Sequence, residues 1–379
     1  MISYIIRRLM FMFPTLIGII TITFIVTQFV PGGPIDQMRS MLRGHAGVLS
    51  EVGGGAMDKQ GVKPRDIDPV HLEQLRKIYH LDRPFLERYL RTFIWYSPKN
   101  PDAPFAENFF DRDNWEGFFV FKFGDSFYRN RSVIELIIEK LPVSASLGVT
   151  SFFMTYILCI FLGVAKAVKD GTKFDTASSV IVLLGYSTPG FVLAIFLLVF
   201  IGPGEGAVMH LIPLGGLTSA DVPGYEEWSA WHKFTDYLHH LAAPLFCFVI
   251  GGFATLTMLT KNAVIEEMRK QYVITARAKG LSENMVLYKH ILKNSLIPLI
   301  TGFPMAFLAM FFTGSLLIEQ IFTLDGLGLL SYQAIIQRDY PIVLGSLFVF
   351  ALMALVGQLL TDIAYVLIDR RITFDQSQG

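Results

Sequence analysis

Six stretches of this chain hold no ionisable side chain over a length sufficient to cross a bilayer, and no other feature narrows the fold as much. They are residues 9–30, 141–165, 176–203, 241–260, 294–318 and 341–361. A hydrocarbon core about 30 Å thick takes roughly 20 apolar residues in a helix. Every backbone group there must be satisfied inside the protein, so only helices and closed barrels span it. Barrel strands alternate polar and apolar residues, and these runs do not. The pattern therefore predicts an all-α polytopic membrane protein with six transmembrane helices. Charges bracket the runs, as Lys140 and Lys166 do the second and His240 and Lys261 the fourth. The first run follows Arg7 and Arg8 but outlasts the apolar stretch of about 7–15 residues in a signal peptide, so it is expected to remain as a span.

Composition excludes several functions. Thirty-two basic residues balance thirty-two acidic ones, which leaves no basic footprint for nucleic acid. Two cysteines, Cys159 and Cys247, lie inside apolar runs and read as small packing residues rather than a disulfide framework or a metal cluster. An ionisable group inside a span costs roughly 2.5–3.5 kcal/mol on insertion scales and usually marks an ion pathway. The six runs contain none, since Glu319 and Asp362 fall just beyond the fifth and sixth, and this argues against a proton-coupled carrier. Ser187 and Ser315 supply hydroxyls, but none of the eight histidines falls within a run to act as their base. Neither a His-Glu-x-x-His pair nor a Gly-x4-Gly-Lys-Ser/Thr loop is present. No catalytic residue, metal site or bound cofactor is expected, and the energy for any driven transport must come from another subunit.

Short loops set the orientation, because basic residues stay on the cytoplasmic side. Arg7 and Arg8 precede the first run, Lys166, Lys169 and Lys173 fill the second connection, and Arg370 and Arg371 follow the sixth run. Lys261, Arg269, Lys270, Arg277, Lys279, Lys289 and Lys293 lie between the fourth and fifth. On the other side, residues 204–240 carry Glu205, Asp221, Glu226, Glu227 and Asp236 against Lys233. Both termini are expected in the cytoplasm. Trp228, Trp231, Tyr237 and Tyr340 suit the outer interfacial belt. The outer segment at 31–140 is too long for a mere connection. Within it Leu72, Leu75, Ile78 and Tyr79 recur at helical spacing, Arg83-Pro84 breaks the pattern, and 86–95 resumes it. Residues 52–56 and 97–106, rich in glycine and proline, read as irregular.

The most informative connection runs from Lys261 to Lys293. It is helix-forming, is stopped by Gly280 as a C-terminal cap, and restarts behind Ser282 as an N-cap. Ala276 and Ala278 are small enough for close approach, and Arg277 and Lys279 offer charge to an acidic partner rim. A solvated basic linker is the plain alternative. The run Tyr272-x-x-Thr275-Ala276-Arg277-Ala278-Lys279-Gly280-Leu281-Ser282, followed by His290 and Asn294, resembles the coupling loop of type I ABC importer permeases of the oligopeptide, dipeptide and nickel branch. The likeness covers nearly the whole chain. Tyr4-Ile5-Ile6-Arg7-Arg8-Leu9, Pro14-Thr15-Leu16, Pro31-Gly32-Gly33-Pro34, Phe123-Gly124-Asp125-Ser126 and Leu141-Pro142-Val143-Ser144 match the B-type subunit. So do Phe312-Thr313-Gly314-Ser315-Leu316-Leu317-Ile318-Glu319, Gly326-Leu327-Gly328 and Asp339-Tyr340-Pro341. The stretch from Gly251 to Asn262 and the enlarged outer segment resemble the Yej-type subgroup, a peptide and microcin C importer. The general importer motif has a glutamate where this chain has Ile274 and a proline where it has Lys293, and the peptide branch commonly lacks both. The usual terminal Asp-Pro-Arg appears as Asp369-Arg370-Arg371.

The resemblance implies a type I permease fold: residues 1–30 as cytoplasmic N-terminus and first span, 31–140 as a mainly helical periplasmic insertion, 141–366 as the core with its coupling loop at 264–293, and 367–379 as a cytoplasmic tail. It implies a bacterial inner membrane location among lipid, a second and distinct permease chain, two ABC ATPase domains that bind ATP and magnesium, and a periplasmic substrate-binding protein. Ala276, Arg277, Ala278, Lys279, Gly280 and Leu281 would meet the ATPase. Ser187, Thr188 and Pro189 interrupt the third run, and with Gly314 and Ser315 of the fifth they are candidates for path lining or hinges. Helix kinks made for packing are the plain alternative there. An ATP-independent channel or secondary carrier, and a membrane scaffold that moves nothing, remain as other classes.

Overall fold

The computed structural model describes residues 2–29, 82–96, 114–203, 208–209, 211–310 and 316–368. Gly314 and Ser315, the glycine-rich stretch at 52–56, the helical pattern expected before residue 82 and the irregular run at 97–106 lie outside the described residues. Among the described residues four helices are long and apolar enough to cross a membrane: α1 (Ile2–Phe29), α3 (Val133–Val168), α6 (Ala230–Met268) and α12 (Tyr340–Ile368). The other two runs are bent. The third divides into α4 (Lys173–Ser187) and α5 (Gly190–Ile201) at 92°, and at the start of the fifth the helix Glu283–Ser295 meets the helix that begins at Ile297 at 49°.

Proline chemistry accounts for the sharper bend. The residue before a proline is pushed out of the helical region. Thr188 is extended at φ −97°, ψ 114°, and Pro189 then caps α5. The hydroxyls of Ser187 and Thr188 donate back to Leu183 and Leu184 oxygens at 2.9 and 3.0 Å.

The chain divides into two compact units. One holds the described residues of Met1–Arg8, Lys140–Leu330 and Met353–Gly379, the other those of Leu9–Glu139 and Ser331–Leu352. In the first, an apolar core gathers Leu147, Ala194, Leu241, Leu245, Cys247, Ile318 and Phe322. Gly190 lets α5 approach α6 closely, because a Cβ there would lie 2.8 Å from the Cys247 oxygen. Phe152 packs beside Tyr156, Phe303 and Phe307. At one end of this unit Tyr4 donates to Asp362 at 3.0 Å, and Arg8 reaches both Tyr4 and Asp362, at 2.8 and 2.9 Å.

The second unit is organised around the part of α1 from Leu9 onward and the segment that follows it. Helix α2 (Phe85–Phe93) lies against α1 through Thr21–Tyr89 and Gln28–Arg88 hydrogen bonds of 2.7 Å each, with Phe24 between Phe85 and Tyr89. A two-residue antiparallel ladder, β1 (Trp95–Tyr96) on β2 (Trp115–Glu116), interrupts the otherwise helical chain, a detail that periodicity over so short a run cannot show. Phe118, Phe121, Phe123 and Phe348 form one ring cluster. Two of the sequence motifs meet here: the Ser126 hydroxyl donates to Asp339, whose other carboxylate oxygen takes the Phe127 N–H at 3.2 Å.

Candidate functional site

Helix α6 continues past the end of the fourth apolar run, through Lys261, to Met268. The chain then turns at Lys270, extended at ψ 150°, and forms a separate short helix, α7 (Gln271–Ala278). One carboxylate organises this turn. Glu267 accepts from Lys270 Nζ and from Tyr272 Oη, each at 2.5 Å, and the Asn294 side chain bonds to both Glu267 and Tyr272. Burial and the Glu267 contact push the Tyr272 phenol above its ordinary value, and the Glu267 carboxylate does the same for the Lys270 ammonium. Tyr272 and Asn294, widely separated in the motif, thus meet on one side chain.

The far end of α7 closes as a Schellman turn. Gly280 is left-handed at φ +79°, its N–H donates to Arg277 oxygen at 2.9 Å, and the Leu281 N–H reaches Ala276 oxygen at 3.4 Å. Ser282 then caps α8 (Glu283–Ser295) by accepting from Met285 N–H at 3.4 Å. Both caps agree with the sequence reading. Across the turn Arg277 grips Glu283 through two hydrogen bonds of 2.9 and 3.0 Å. Arg277 therefore braces the turn itself while remaining exposed.

Beneath α7 lies an apolar cluster of Ala167, Val264, Val273, Ala276, Val286 and Ile291. The first turns of α8 are wound as a π-helix over Val286–Ile291. Residues five apart sit about 140° apart around an α-helix. The wider turn brings Val286 and Ile291 toward the same side, and both are buried. Ala276 is 6% exposed and faces this cluster, and Leu281 is half-buried against it. Arg277, Ala278, Lys279 and Gly280 are exposed, together with Ile274 and Thr275. The six residues singled out in the coupling loop thus span the end of α7 and its closing turn, Ala276 and Leu281 toward the cluster and the four from Arg277 to Gly280 on the open side.

The remaining candidates lie elsewhere. Ser187, Thr188 and Pro189 make the corner between α4 and α5. A separate cavity of about 370 Å³ is lined by Gly148, Ser151, Phe152, Thr155, Tyr156, Gly252, Thr255 and neighbouring apolar residues, with no charged side chain among the described residues that line it. A third group explains three further motifs. Glu319 of α10 (Leu316–Ile321), which follows α9 (Ile297–Met310), is 0% exposed and accepts from Leu329 N–H at 2.8 Å. The Leu327 N–H donates to Ser144 at 2.8 Å, so Glu319 and Ser144 together cap α11 (Leu327–Gln337). A Cβ on Gly326 would lie 2.7 Å from the Glu319 carboxyl carbon, so only glycine fits. Burial pushes the Glu319 carboxyl above its usual range. Among the described residues no group of three or more His, Cys, Asp or Glu side chains is placed to hold a metal ion.

Residues 159–374 match the family described as the inner membrane component of binding-protein-dependent transport systems, and the chain belongs to that family. It is a multi-pass inner membrane permease subunit rather than an enzyme, and membership implies ATPase and substrate-binding partners. It is 45% identical over 386 residues to the peptidoglycan transport system permease protein YejB of Agrobacterium fabrum, covering 99% of each chain. It is 42% identical to the inner membrane ABC transporter permease protein YejB of Escherichia coli O157:H7, covering 98% of this chain and 99% of that one. The oligopeptide transport system permease protein AppB of Bacillus subtilis is 30% identical, with 99% of this chain and 100% of that one covered.

Proposed function

We propose that this chain forms, with a second and distinct permease, the translocation path of an ATP-driven importer for peptides or peptide-like solutes. The named cargoes of its relatives, peptidoglycan for one and oligopeptides for another, support that class, which also includes microcin C-type solutes. Each bent pair is read as one broken span, giving six in all, with both termini in the cytoplasm and 31–140 as the periplasmic insertion. The basic connections support that orientation.

The observation that carries the coupling role is the build of α7, a short helix whose inner face is locked into an apolar cluster while Ile274, Arg277, Ala278 and Lys279 stand open. An ATPase seated on that open side pushes the cluster, and through it α3, α6 and α8. The path then alternates between inward and outward access by the hinge and shear motions open to packed helices. Ser187, Thr188 and Pro189, with Gly314 and Ser315, serve as hinge or lining. ATP and magnesium are held by the ATPase.

Nothing lies within 4 Å of a Cβ built on Gly280. A Gly280→Trp substitution therefore meets no neighbouring atom, carries the left-handed backbone cost of about 1–2 kcal/mol, and places its bulk where the ATPase docks. Co-purification tests the reading. The complex is expected to carry an ATP-hydrolysing subunit, and Gly280→Trp to keep that subunit bound while ATP-dependent uptake of an isotope-labelled peptide digest falls to background. Isolation without any ATPase, or normal uptake by the variant, contradicts it.

A further inference from the structure

Beside the coupling cluster sits a charge network that positive-inside patterning alone does not explain. Lys166, at the end of α3, is 0% exposed. Its ammonium donates to Asp175 backbone oxygen at 2.8 Å and to the hydroxyls of Ser178 and Ser179 at 2.9 and 2.6 Å, and lies 3.0 Å from the Asp175 carboxylate. The other Asp175 oxygen takes Lys261 of α6 at 2.8 Å, and Lys261 also reaches Asp170 at 2.8 Å. Asp175 thus holds one lysine from α3 and one from α6 at the first turn of α4. A lysine needed only for orientation would extend to water, as long cationic side chains do at helix ends. Complete burial of Lys166 demands a structural reason, since an unpaired buried cation is strongly disfavoured.

The network abuts the coupling element in sequence and in space. Ala167, next to Lys166, and Val264, three residues beyond Lys261, are both members of the cluster under α7. That cluster ties α7 to α3 and α6 but includes no residue of α4. Building on the coupling role given above, we propose that Lys166, Asp175 and Lys261 are positioning residues that fasten α4 to the α3–α6–α7 body. Through this clamp, displacement of α7 is delivered to the bent α4–α5 span. The clamp adds to the packing of α4 and α5 on α6, and without it the first turn of α4, beside the coupling element, lags behind α7.

The test uses the assembled complex in proteoliposomes, with uptake of an isotope-labelled peptide digest scored per ATP hydrolysed. Lys261→Met is expected to leave ATP hydrolysis near the wild-type rate while uptake per ATP falls about tenfold, a size typical of coupling between sites. Lys261→Arg restores the ratio because it keeps the cation. Lys166→Met gives the same loss if it assembles. Spin labels at Lys173 and Ala278, with Cys159 and Cys247 replaced by alanine, report the clamp without reference to cargo. Their distance distribution is expected to stay equally narrow with and without ATP in the wild type and to broaden in Lys261→Met. An unchanged uptake ratio together with unchanged label distances overturns the clamp. Should the wild-type complex show no ATP-dependent uptake, the importer reading fails, and the label distances still decide whether the clamp exists.

Discussion

At the scale of single residues, two glycines differ in why they are glycine, and their replacement separates the causes. Gly280 has open space around it but a left-handed backbone, so Gly280→Ala carries only the conformational cost of about 1 kcal/mol. Gly326 abuts a buried, hydrogen-bonded carboxylate, so Gly326→Ala must displace Glu319 and its cap, at about 2–4 kcal/mol. Thermal unfolding in detergent is expected to rank Gly326→Ala well below Gly280→Ala; the reverse order contradicts the assignment. Asp339 supplies a pH signature. Burial raises its carboxyl above the usual range despite the Ser126 and Phe127 donors. A raised folded pKa means that the folded state holds the proton more tightly. The stabilising contribution is thus complete below about pH 4, the ordinary aspartate value, and is lost as pH climbs through the raised one. Asp339→Asn is expected to flatten the fall in melting temperature from pH 4 toward neutrality. A variant curve parallel to the wild type speaks against this.

Among elements, what was legible in the sequence is what local chemistry dictates. The runs without charge mark membrane-length segments because hydrocarbon forbids the alternatives. Thr188-Pro189 marks a break because proline constrains its predecessor. Gly280 and Ser282 mark caps by their own preferences. The parts that escaped depend on which helix faces which. Lys166 reads as a flanking positive charge until α4 brings Asp175 over it, and Ala276 reads as an outer contact until the docking of α7 turns it inward. Glu319, beyond its run, gives no hint that it caps a helix starting several residues later. The close approach of α5 to α6 follows the same logic. Gly190→Leu would drive a side chain into the Cys247 carbonyl and is expected to cost about 1–3 kcal/mol. Its melting point should fall while a Gly251→Leu control, with nothing within 4 Å of its Cβ, stays near wild type. Equal effects would dissolve the packing argument.

For the molecule as a whole, the absence of ionisable groups in the apolar runs and the exposed coupling helix belong to one account. The charge-free runs offer a proton or ion gradient no carboxylate, histidine or lysine to act on, which suits the ATP-driven mechanism proposed above. In the proposed mechanism the element that receives the work of the ATPase is a short helix buried on one side and open on the other. In that proposed mechanism, selection of cargo falls mainly to the binding protein outside.

Flux in proteoliposomes tests that account most directly. Reconstituted with its partner permease, ATPase and binding protein, the chain is expected to accumulate labelled peptide only when ATP and the ATPase are present, and to lose accumulation when Gly280→Trp is introduced. Peptide flux through the permease pair alone, with no ATPase in the vesicle, would contradict it.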